Sequence, residues 1–219
     1  MKKFLSIVIL GIIVALFVPF NSADASSIRG KTIAVDAGHG GSDPGASGSI
    51  SYPDGSKTTI YEKSLTLMFA QYLKEELEFY GADVVMTRNS DTYVGINDRW
   101  RSATNANVDA FISIHFDWVQ APNGTMSFYG QNRTQDKQFA QTIHNSIVNS
   151  SSYFGNNHGV MVDSNTFHGF LGVLNYGGNY PRVLIEVNNM DYNGLYGVDL
   201  MRNATNFARQ VRIGLQNYF

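Results

Sequence analysis

The sequence predicts a single α/β domain of three layers (α/β/α), with helices on both faces of a largely parallel, twisted sheet of about six strands. Short apolar runs of strand length alternate along the chain with longer segments whose apolar residues recur at helical spacing. The chain has 219 residues, of which 43% are hydrophobic and 16% charged. That size and composition are typical of one globular domain with a sizeable core.

The first half of the fold is predicted to contain three strands and two helices. Residues 31–36 form an apolar run that ends at a glycine cluster, which is typical of a buried strand. The glycine-rich stretch that follows, up to about Thr59, is expected to be irregular. Residues 62–80 place apolar side chains on one helical face, and Gly81 follows as a helix stop. The remaining elements of this half are a strand at 82–87, a helix at 94–105 and a strand at 110–115.

The second half is predicted to contain three strands and two helices. A strand is expected at 125–129 and a helix at 134–149. Two further strands are expected at 170–174 and 182–187, and residues 195–219 have the spacing of an amphipathic helix. No internal repeat or low-complexity linker divides the sequence, so we expect one domain.

Residues 1–25 have the pattern of a secretory signal peptide. Lys2 and Lys3 precede an apolar run over residues 4–20, and residues 23–25 (Ala-Asp-Ala) form a small-x-small cleavage site. The run is shorter than the roughly 20 residues that a membrane-spanning helix needs. We therefore expect residues 26–219 to be secreted, with no stable membrane contact; a retained membrane anchor is the alternative.

Charge and cysteine content exclude several classes of function. The formal net charge is −2 and no basic stripe is present, which argues against nucleic-acid binding. The chain contains no cysteine, so disulfides, thiolate metal sites and a cysteine nucleophile are excluded. Any metal ion must be bound by His, Asp or Glu.

Four ionisable residues lie where predicted elements end or begin. His39 follows the first strand, His115 ends the third, and Glu186 lies near the end of the last strand; Glu62 begins the first helix. Ligands of open α/β sheets bind beyond the carboxyl ends of the strands. Two histidines and one carboxylate are a known ligand set for catalytic zinc, and a second carboxylate can serve as general base.

Each of these residues also has a structural interpretation. His39 could belong to a flexible glycine-rich turn, His115 could be a strand-end histidine, and Glu62 could favour the helix dipole. Glu186 is harder to explain in this way, because it interrupts a buried apolar run and buried carboxylates are rare unless paired or functional. Spacing alone therefore favours a metal site without establishing one.

A set of short motifs occurs along the chain in a characteristic order. They are residues 32–41 (TIAVDAGHGG) with 43–45, residues 62–65, Thr87-Arg88 with Asp91 and Arg99, and residues 111–115, 157–160, 172–174 and 181–186. In this order they resemble the zinc-dependent, autolysin-type N-acetylmuramoyl-L-alanine amidases (amidase type 3). The resemblance covers nearly all of residues 31–215, and the ordered set is highly specific.

The resemblance implies a reaction, a cofactor and the roles of four residues. His39, Glu62 and His115 match the family's ligands for one zinc ion per chain, and Glu186 matches its catalytic glutamate. The implied reaction is hydrolysis of the amide bond between N-acetylmuramic acid and L-alanine in peptidoglycan by a zinc-activated water. Residues 26–219 are then expected to form a zinc-dependent amidase catalytic domain at the bacterial cell wall.

Two segments depart from the family pattern. Members usually follow the second histidine with a small residue and Asn, where this chain has Phe116-Asp117. They usually follow the catalytic glutamate with a Gly-Phe and Ser-Asn segment, where residues 187–190 are Val-Asn-Asn-Met. These departures concern the substrate subsites rather than the metal ligands.

Two other functions are alternatives to the amidase interpretation. A zinc peptidase or deacetylase acting on another cell-wall amide is the enzymatic alternative, and a degenerate wall-binding module is the alternative from another class. The expected partner is peptidoglycan, and no separate wall-binding module is visible.

Other polar residues have predicted supporting roles. Asp36 is expected to anchor the glycine-rich loop or a ligand histidine. Arg88 and Asp91 are expected to pair with each other or to cap the second helix, and His144 and His168 are expected at the surface.

Overall fold

The computed structural model describes residues 27–52, 54–117, 123–150, 154–190 and 197–219. The predicted signal peptide at residues 1–25 lies outside these ranges. Within them, no helix combines the length and the apolar character that crossing a membrane would require.

The described residues form helices and strands that alternate along most of the chain. Strands β1 to β8 are Thr32–Ala37, Ser47–Ser51, Lys57–Tyr61, Asp83–Met86, Ala110–Asp117, Gly124–Tyr129, Asn156–Val162 and Arg182–Asn189. Helices α1 to α5 are Glu62–Phe79, Ile96–Asn105, Lys137–Val148, Gly172–Asn175 and Gly197–Tyr218. Short 3-10 turns at Thr134–Asp136 and Asp163–Asn165 precede α3 and follow β7.

A six-stranded sheet in the order β4-β1-β5-β8-β6-β7 forms the middle layer. Neighbouring strands are parallel except β6 and β8, which are antiparallel. The prediction of a single α/β domain around a largely parallel six-stranded sheet is confirmed. Strands β2 and β3 form a separate antiparallel hairpin, in which Ser47 pairs with Tyr61.

The two faces of the sheet pack against different helices, because successive side chains of a strand point to opposite faces. Ile112 and Ile114 of β5 belong to the larger core, which also contains buried residues of α1, α3 and α5. Phe111 of β5 and Leu184 of β8 belong to the smaller core, with residues of α2 and α4. Burial on both faces explains why these central strands are almost continuously apolar.

Two local predictions were wrong, and one strand was not predicted. Residues 170–174 were expected to form a strand, but Gly172–Asn175 is a single helical turn; periodicity cannot distinguish a strand from a buried helical turn in a short apolar run. The sixth strand is instead Asn156–Val162, an edge strand whose first residues are polar. The glycine-rich stretch expected to be irregular contains the β2–β3 hairpin.

His144 was expected at the surface but is fully buried in α3. Its Nε2 lies 2.8 Å from Oδ1 of Asn157, and its Nδ1 lies 2.9 Å from Oγ of Ser127. Because Oδ1 of Asn157 also accepts a hydrogen bond from the N–H of Gly159, it is the acceptor, so Nε2 carries the proton and the Ser127 hydroxyl donates to Nδ1. A neutral histidine thus joins α3 to strands β6 and β7.

Burial lowers the pKa of His144, since the charged imidazole would lose its hydration; the hydrogen bond to Asn157 opposes this effect and the charge of His158 adds to it. A histidine with a lowered folded pKa contributes its full stability above the unfolded pKa of about 6.5. That contribution is lost as the pH falls towards the folded pKa, because the unfolded chain binds the proton first.

We therefore expect the His144→Gln variant to lose less free energy of unfolding than the wild type between pH 7.5 and pH 5. Gln does not titrate in this range, so it adds no pH dependence. Replacing the ring alters a hydrogen bond, which lowers the free energy of unfolding at pH 7.5 by about 1 kcal/mol. Urea unfolding at both pH values measures the difference, and the exposed His168→Gln variant serves as control. Equal losses in the wild type and the His144→Gln variant would contradict the role assigned to His144.

Candidate metal centre

Three residues that the sequence singled out meet beyond the carboxyl ends of the central strands. His39 follows β1, His115 lies in β5, and Glu62 is the first residue of α1. Nε2 of His39 lies 3.0 Å from Oε2 of Glu62, and Nδ1 of His115 lies 3.1 Å from Oε1 of Glu62. One ligand atom from each of the three residues lies within 4.8 Å of the other two.

The backbone of His39 has a left-handed conformation, with φ of 59°, which is uncommon for a residue other than glycine. Arg99 stabilises it: Nη2 donates to the carbonyl oxygen of His39 at 2.8 Å, and Nη1 donates to Oδ1 of Asp36 at 2.8 Å. Asp36 also accepts a hydrogen bond from the hydroxyl of Ser113 at 2.6 Å. The expectation that Asp36 anchors the glycine-rich loop therefore agrees with the structure, with Arg99 as the link.

Two glycines of this loop leave room for the ligand side chains. A Cβ atom at Gly38 would lie 2.4 Å from Cε1 of His115. A Cβ atom at Gly45, where φ is +65°, would lie 2.6 Å from Oε2 of Glu62. Any larger residue at either position would have to displace a side chain of the cluster.

Arg88 and Asp91 do not form the expected pair. The buried guanidinium of Arg88 donates to the carbonyl oxygens of Ala37, Gly38 and Lys63, a use suited to its fork of five donors. Asp91 instead pairs with Nζ of Lys63 at 2.8 Å and accepts from the N–H of Gly41 at 2.7 Å. Both residues thus bind the segment after β1 rather than each other.

Glu62 is almost completely enclosed, with 4% of its surface exposed. Oε1 accepts a hydrogen bond from the N–H of Phe116 at 3.0 Å, and Oε2 accepts one from the N–H of Ala46 at 2.9 Å. Burial alone would raise the pKa of the Glu62 carboxyl, but His115 and His39 together lower it well below its usual range. Glu62 is therefore an ionised carboxylate at neutral pH.

Asp43 is a site residue to which the sequence analysis assigned no role. Its Oδ2 lies 2.9 Å from Nδ1 of His39, and its Oδ1 accepts from the N–H of Gly45 at 3.1 Å. Burial lowers the pKa of His39, but Glu62 and Asp43 outweigh it and raise that pKa overall. A carboxylate on the far nitrogen of a ligand histidine fixes its ring orientation and tautomer. The sequence signal for this contact was that Asp43 follows His39 by four residues within one tight loop.

Glu186 lies in β8 directly beside His115 of β5, with which it is in register. Residues in register on neighbouring parallel strands face the same side of the sheet, and such strands lie about 4.8 Å apart. Glu186 is half-buried, and Met126 of β6 is its partner on the other side. The structure thus places the second carboxylate next to the histidine of the cluster.

The residues that depart from the family pattern belong mainly to the core. The ring of Phe116 is buried and packs against Phe69 with centroids 5.0 Å apart. Asn188 is buried, and its Oδ1 accepts a hydrogen bond from the N–H of Gly124 at 3.1 Å. Phe116 thus fills the face of β5 opposite His115, and Asn188 joins β8 to the start of β6.

The cluster fits a zinc ion. Two imidazoles and one carboxylate are donors that zinc takes in catalytic sites, and Glu62 is held ionised between the two rings. The side chains of His39 and His115 keep 23% and 19% of their exposure, so the cluster is open to solvent. An open side is what a catalytic metal needs for water or substrate.

An α/β domain with an open cluster of two histidines and one glutamate beyond the carboxyl ends of its strands has the arrangement that a catalytic metal site requires. Residues 33–194 match the sequence pattern of a specific family, Amidase_3, described as N-acetylmuramoyl-L-alanine amidase. The chain belongs to this family, which confirms the resemblance found in the sequence.

Curated relatives carry a related description. A probable cell wall amidase LytH of Staphylococcus epidermidis is 39% identical over 126 residues, which are 58% of this chain and 40% of that protein. The protein of the same name from Staphylococcus aureus is 39% identical over 116 residues, which are 52% of this chain and 36% of that protein. The match therefore spans about two fifths of the length of these relatives.

Several solved structures have the same fold, and this chain matches almost the whole length of each. The N-acetylmuramoyl-L-alanine amidase AmiC2 of Nostoc punctiforme is 25% identical with a TM-score of 0.69, over 86% of this chain and 96% of that one. An N-acetylmuramoyl-L-alanine amidase from Clostridium difficile 630 is 27% identical with a TM-score of 0.70, over 87% and 97%. The catalytic domain of CwlV from Bacillus (Paenibacillus) polymyxa is 27% identical with a TM-score of 0.69, over 86% and 97%.

We expect Asp43→Asn to weaken zinc binding by about tenfold or more, because the neutral amide no longer polarises and orients the His39 ring. Competition with a zinc-chelating dye measures the dissociation constant. Asp98→Asn is the control, since Asp98 is exposed and pairs only with Arg101 among the described ion pairs, at 3.7 Å. An unchanged zinc affinity in Asp43→Asn would show that Asp43 does not support the site.

Proposed function

We propose that this chain is a zinc-dependent N-acetylmuramoyl-L-alanine amidase, which hydrolyses the amide bond between N-acetylmuramic acid and L-alanine in peptidoglycan. The observation that carries the proposal is the convergence of His39, Glu62 and His115, with Glu186 in register beside His115. Family membership and the likeness to solved amidases support the same reaction.

In this proposal, His39, Glu62 and His115 hold one zinc ion per chain. When bound, zinc supplies Lewis-acid chemistry, lowering the pKa of water towards about 7 and polarising the amide carbonyl. The ionised Glu62 offsets part of the charge of the ion. Asp43 keeps the ring of His39 oriented through Nδ1, which leaves Nε2 to face the metal.

Glu186 moves the proton. Its carboxylate accepts a proton from the attacking water and later donates it to the alanine nitrogen, which must leave as a neutral amine. Glu186 suits this role because it lies on a central strand next to His115. It is not one of the three residues proposed to hold the metal ion. Its position is therefore set by the sheet rather than by a mobile loop.

We infer that the reaction takes place outside the cytoplasm. Residues 1–25 have the signal-peptide pattern, residues 26–219 are the catalytic domain, and peptidoglycan is the partner. Relatives described as probable cell wall amidases support this location.

Mass spectrometry of digested peptidoglycan tests the reaction. We expect the zinc-loaded protein to release stem peptides with a new alanine amine, together with glycan strands that carry free lactyl carboxylates. A chelator should abolish release and added zinc should restore it. Cleavage at a different amide would refute the proposed bond and assign the chain to zinc peptidases or deacetylases, while binding without cleavage would indicate a wall-binding module.

Substitutions separate the proposed roles of the two carboxylates and the histidines. Glu186→Gln should keep its zinc and lose turnover by roughly 10²–10⁴-fold, the usual contribution of a general acid–base group. His39→Ala should lose both zinc and turnover. Metal content by plasma mass spectrometry and the rate of stem-peptide release are the two readouts. Substantial activity in Glu186→Gln would exclude Glu186 as the proton carrier, and a fully zinc-loaded His39→Ala would exclude His39 as a ligand.

A further inference from the structure

A strip of large apolar side chains lies on the outer side of the α2–α4 layer. Ile96 and Tyr176 are 58% and 51% exposed, and Trp100 and Phe170 are half-buried beside them. We call these four residues the aromatic strip. Large contiguous apolar patches on a protein surface mark sites of interaction, whereas single exposed apolar residues are common.

The four side chains form one surface rather than scattered exposures. The ring centroids of Trp100 and Tyr176 lie 6.2 Å apart, and those of Phe170 and Tyr176 lie 5.5 Å apart. Cγ2 of Ile96 would lie 2.8 Å from a Cβ atom at Gly172. The strip therefore crosses from α2 to α4 without a gap between the two elements.

The segment that carries Phe170 and Tyr176 is held in place by a buried carboxylate. Asp163 accepts hydrogen bonds from the N–H groups of Leu171 and Gln131, both at 2.8 Å, and from Nδ2 of Asn175 at 2.5 Å. The strip is thus built before any ligand arrives, which reduces the entropy lost on binding.

Helix α2, which carries Ile96 and Trp100, is bound to the loop that carries His39. Arg99, the neighbour of Trp100 in α2, donates to the carbonyl oxygen of His39. The segment before Ile96 packs closely against the same loop: a Cβ atom at Gly41 would lie only 2.5 Å from the backbone nitrogen of Tyr93. The helix that carries half of the strip is therefore anchored to the loop of the metal centre.

The sheet directs the reactive groups to the same side. His115 and Glu186 lie two residues beyond Ser113 and Leu184, which are themselves in register. Because side chains alternate along a strand, all four face the side that Leu184 shares with α2 and α4. His115 and Glu186 therefore lie on the face of the sheet that α2 and α4 cover.

We propose that the aromatic strip binds the glycan strand of peptidoglycan next to the muramic acid residue whose amide is cut. This inference rests on the proposed function. The muramoyl side of that amide continues into a polymer of pyranose rings, whose faces present polarised C–H groups. The negative face of an aromatic ring attracts such groups, so Trp100 and Tyr176 supply stacking platforms.

Charge at the strip suits an uncharged sugar. Arg101 lies over one face of the Trp100 ring, which leaves the opposite face and the ring of Tyr176 for a sugar, and its charge is partly offset by Asp98 at 3.7 Å. Stem peptides carry carboxylates and anionic lipids carry phosphates, and both classes of ligand need cationic partners. The glycan needs flat apolar faces instead, and the strip provides them.

The kinetic test compares a polymeric with a minimal substrate. The variant is Trp100→Ala/Tyr176→Ala; the control is Phe79→Ala, an exposed ring at the end of α1. We expect KM for uncrosslinked peptidoglycan strands to rise about tenfold in the variant through lost ring contacts, with kcat unchanged. Turnover of a muramoyl tripeptide without further sugars should be unchanged, and Phe79→Ala should match the wild type on both substrates. An equal rise in KM for both substrates would overturn the inference, because it would show a disturbed active site.

A binding measurement does not depend on turnover. Calorimetry with glycan strands stripped of stem peptides should give binding to the zinc-loaded wild type and to Phe79→Ala, and about tenfold weaker binding to the double variant. Trp100→Phe should retain most of the binding, and Tyr176→Ala alone, at an exposed position, should lose part of it. These single variants keep the test valid if the double variant folds poorly.

The outcomes separate the inference from the proposed function. Strand binding that depends on the strip, in a wild type that cuts neither substrate, would refute the amidase and leave the strip as a glycan site. Stem-peptide release with equal strand binding in all variants would refute the strip and leave the amidase. A double variant that changes only the oligomeric state would refute the glycan as occupant.

Discussion

The site depends on one buried carboxylate. Glu62 begins α1, and its carboxylate oxygens contact the loop after β1, the segment leading to β2 and the end of β5. A buried carboxylate without partners would be strongly destabilising. Two backbone N–H groups and two imidazoles stabilise the ionised Glu62, and the same contacts bring together the three residues that could hold a metal ion.

Around Glu62, two buried arginines provide the next level of order. Arg88 and Arg99 donate to backbone carbonyl oxygens of the last residue of β1 and of the loop that follows it. This loop leaves the sheet and can no longer use strand hydrogen bonds. Asp36 balances one of these charges at 2.8 Å. The left-handed backbone of His39 is thus maintained by charge-assisted hydrogen bonds from a helix and a loop, which supports the precise placement that a catalytic metal requires.

The two sides of the site differ in character. On one side the β2–β3 hairpin approaches β8, since a Cβ atom at Gly48 would lie 2.1 Å from the carbonyl oxygen of Met190. On the other side the α2–α4 layer presents apolar rings. A substrate with a peptide arm and a sugar arm needs two such unlike surfaces, and the proposed reaction cuts at the junction between the arms. The core positions of Phe116 and Asn188 indicate that the departures from the family pattern changed packing near the site more than the proposed ligands.

Sequence alone determined the fold class and most elements of the central sheet, because apolar periodicity reports the burial of each element. It also singled out the four residues of the candidate site, because the ordered motifs are specific. Only the tertiary structure decided the burial of His144, the contact of Asp43 with His39, and the register of His115 with Glu186. It also decided that the polar segment Asn156–Val162 is the edge strand while residues 172–175 form a helical turn. The physical reason is that periodicity describes one element against an average environment, whereas these features arise from which elements become neighbours and in which register.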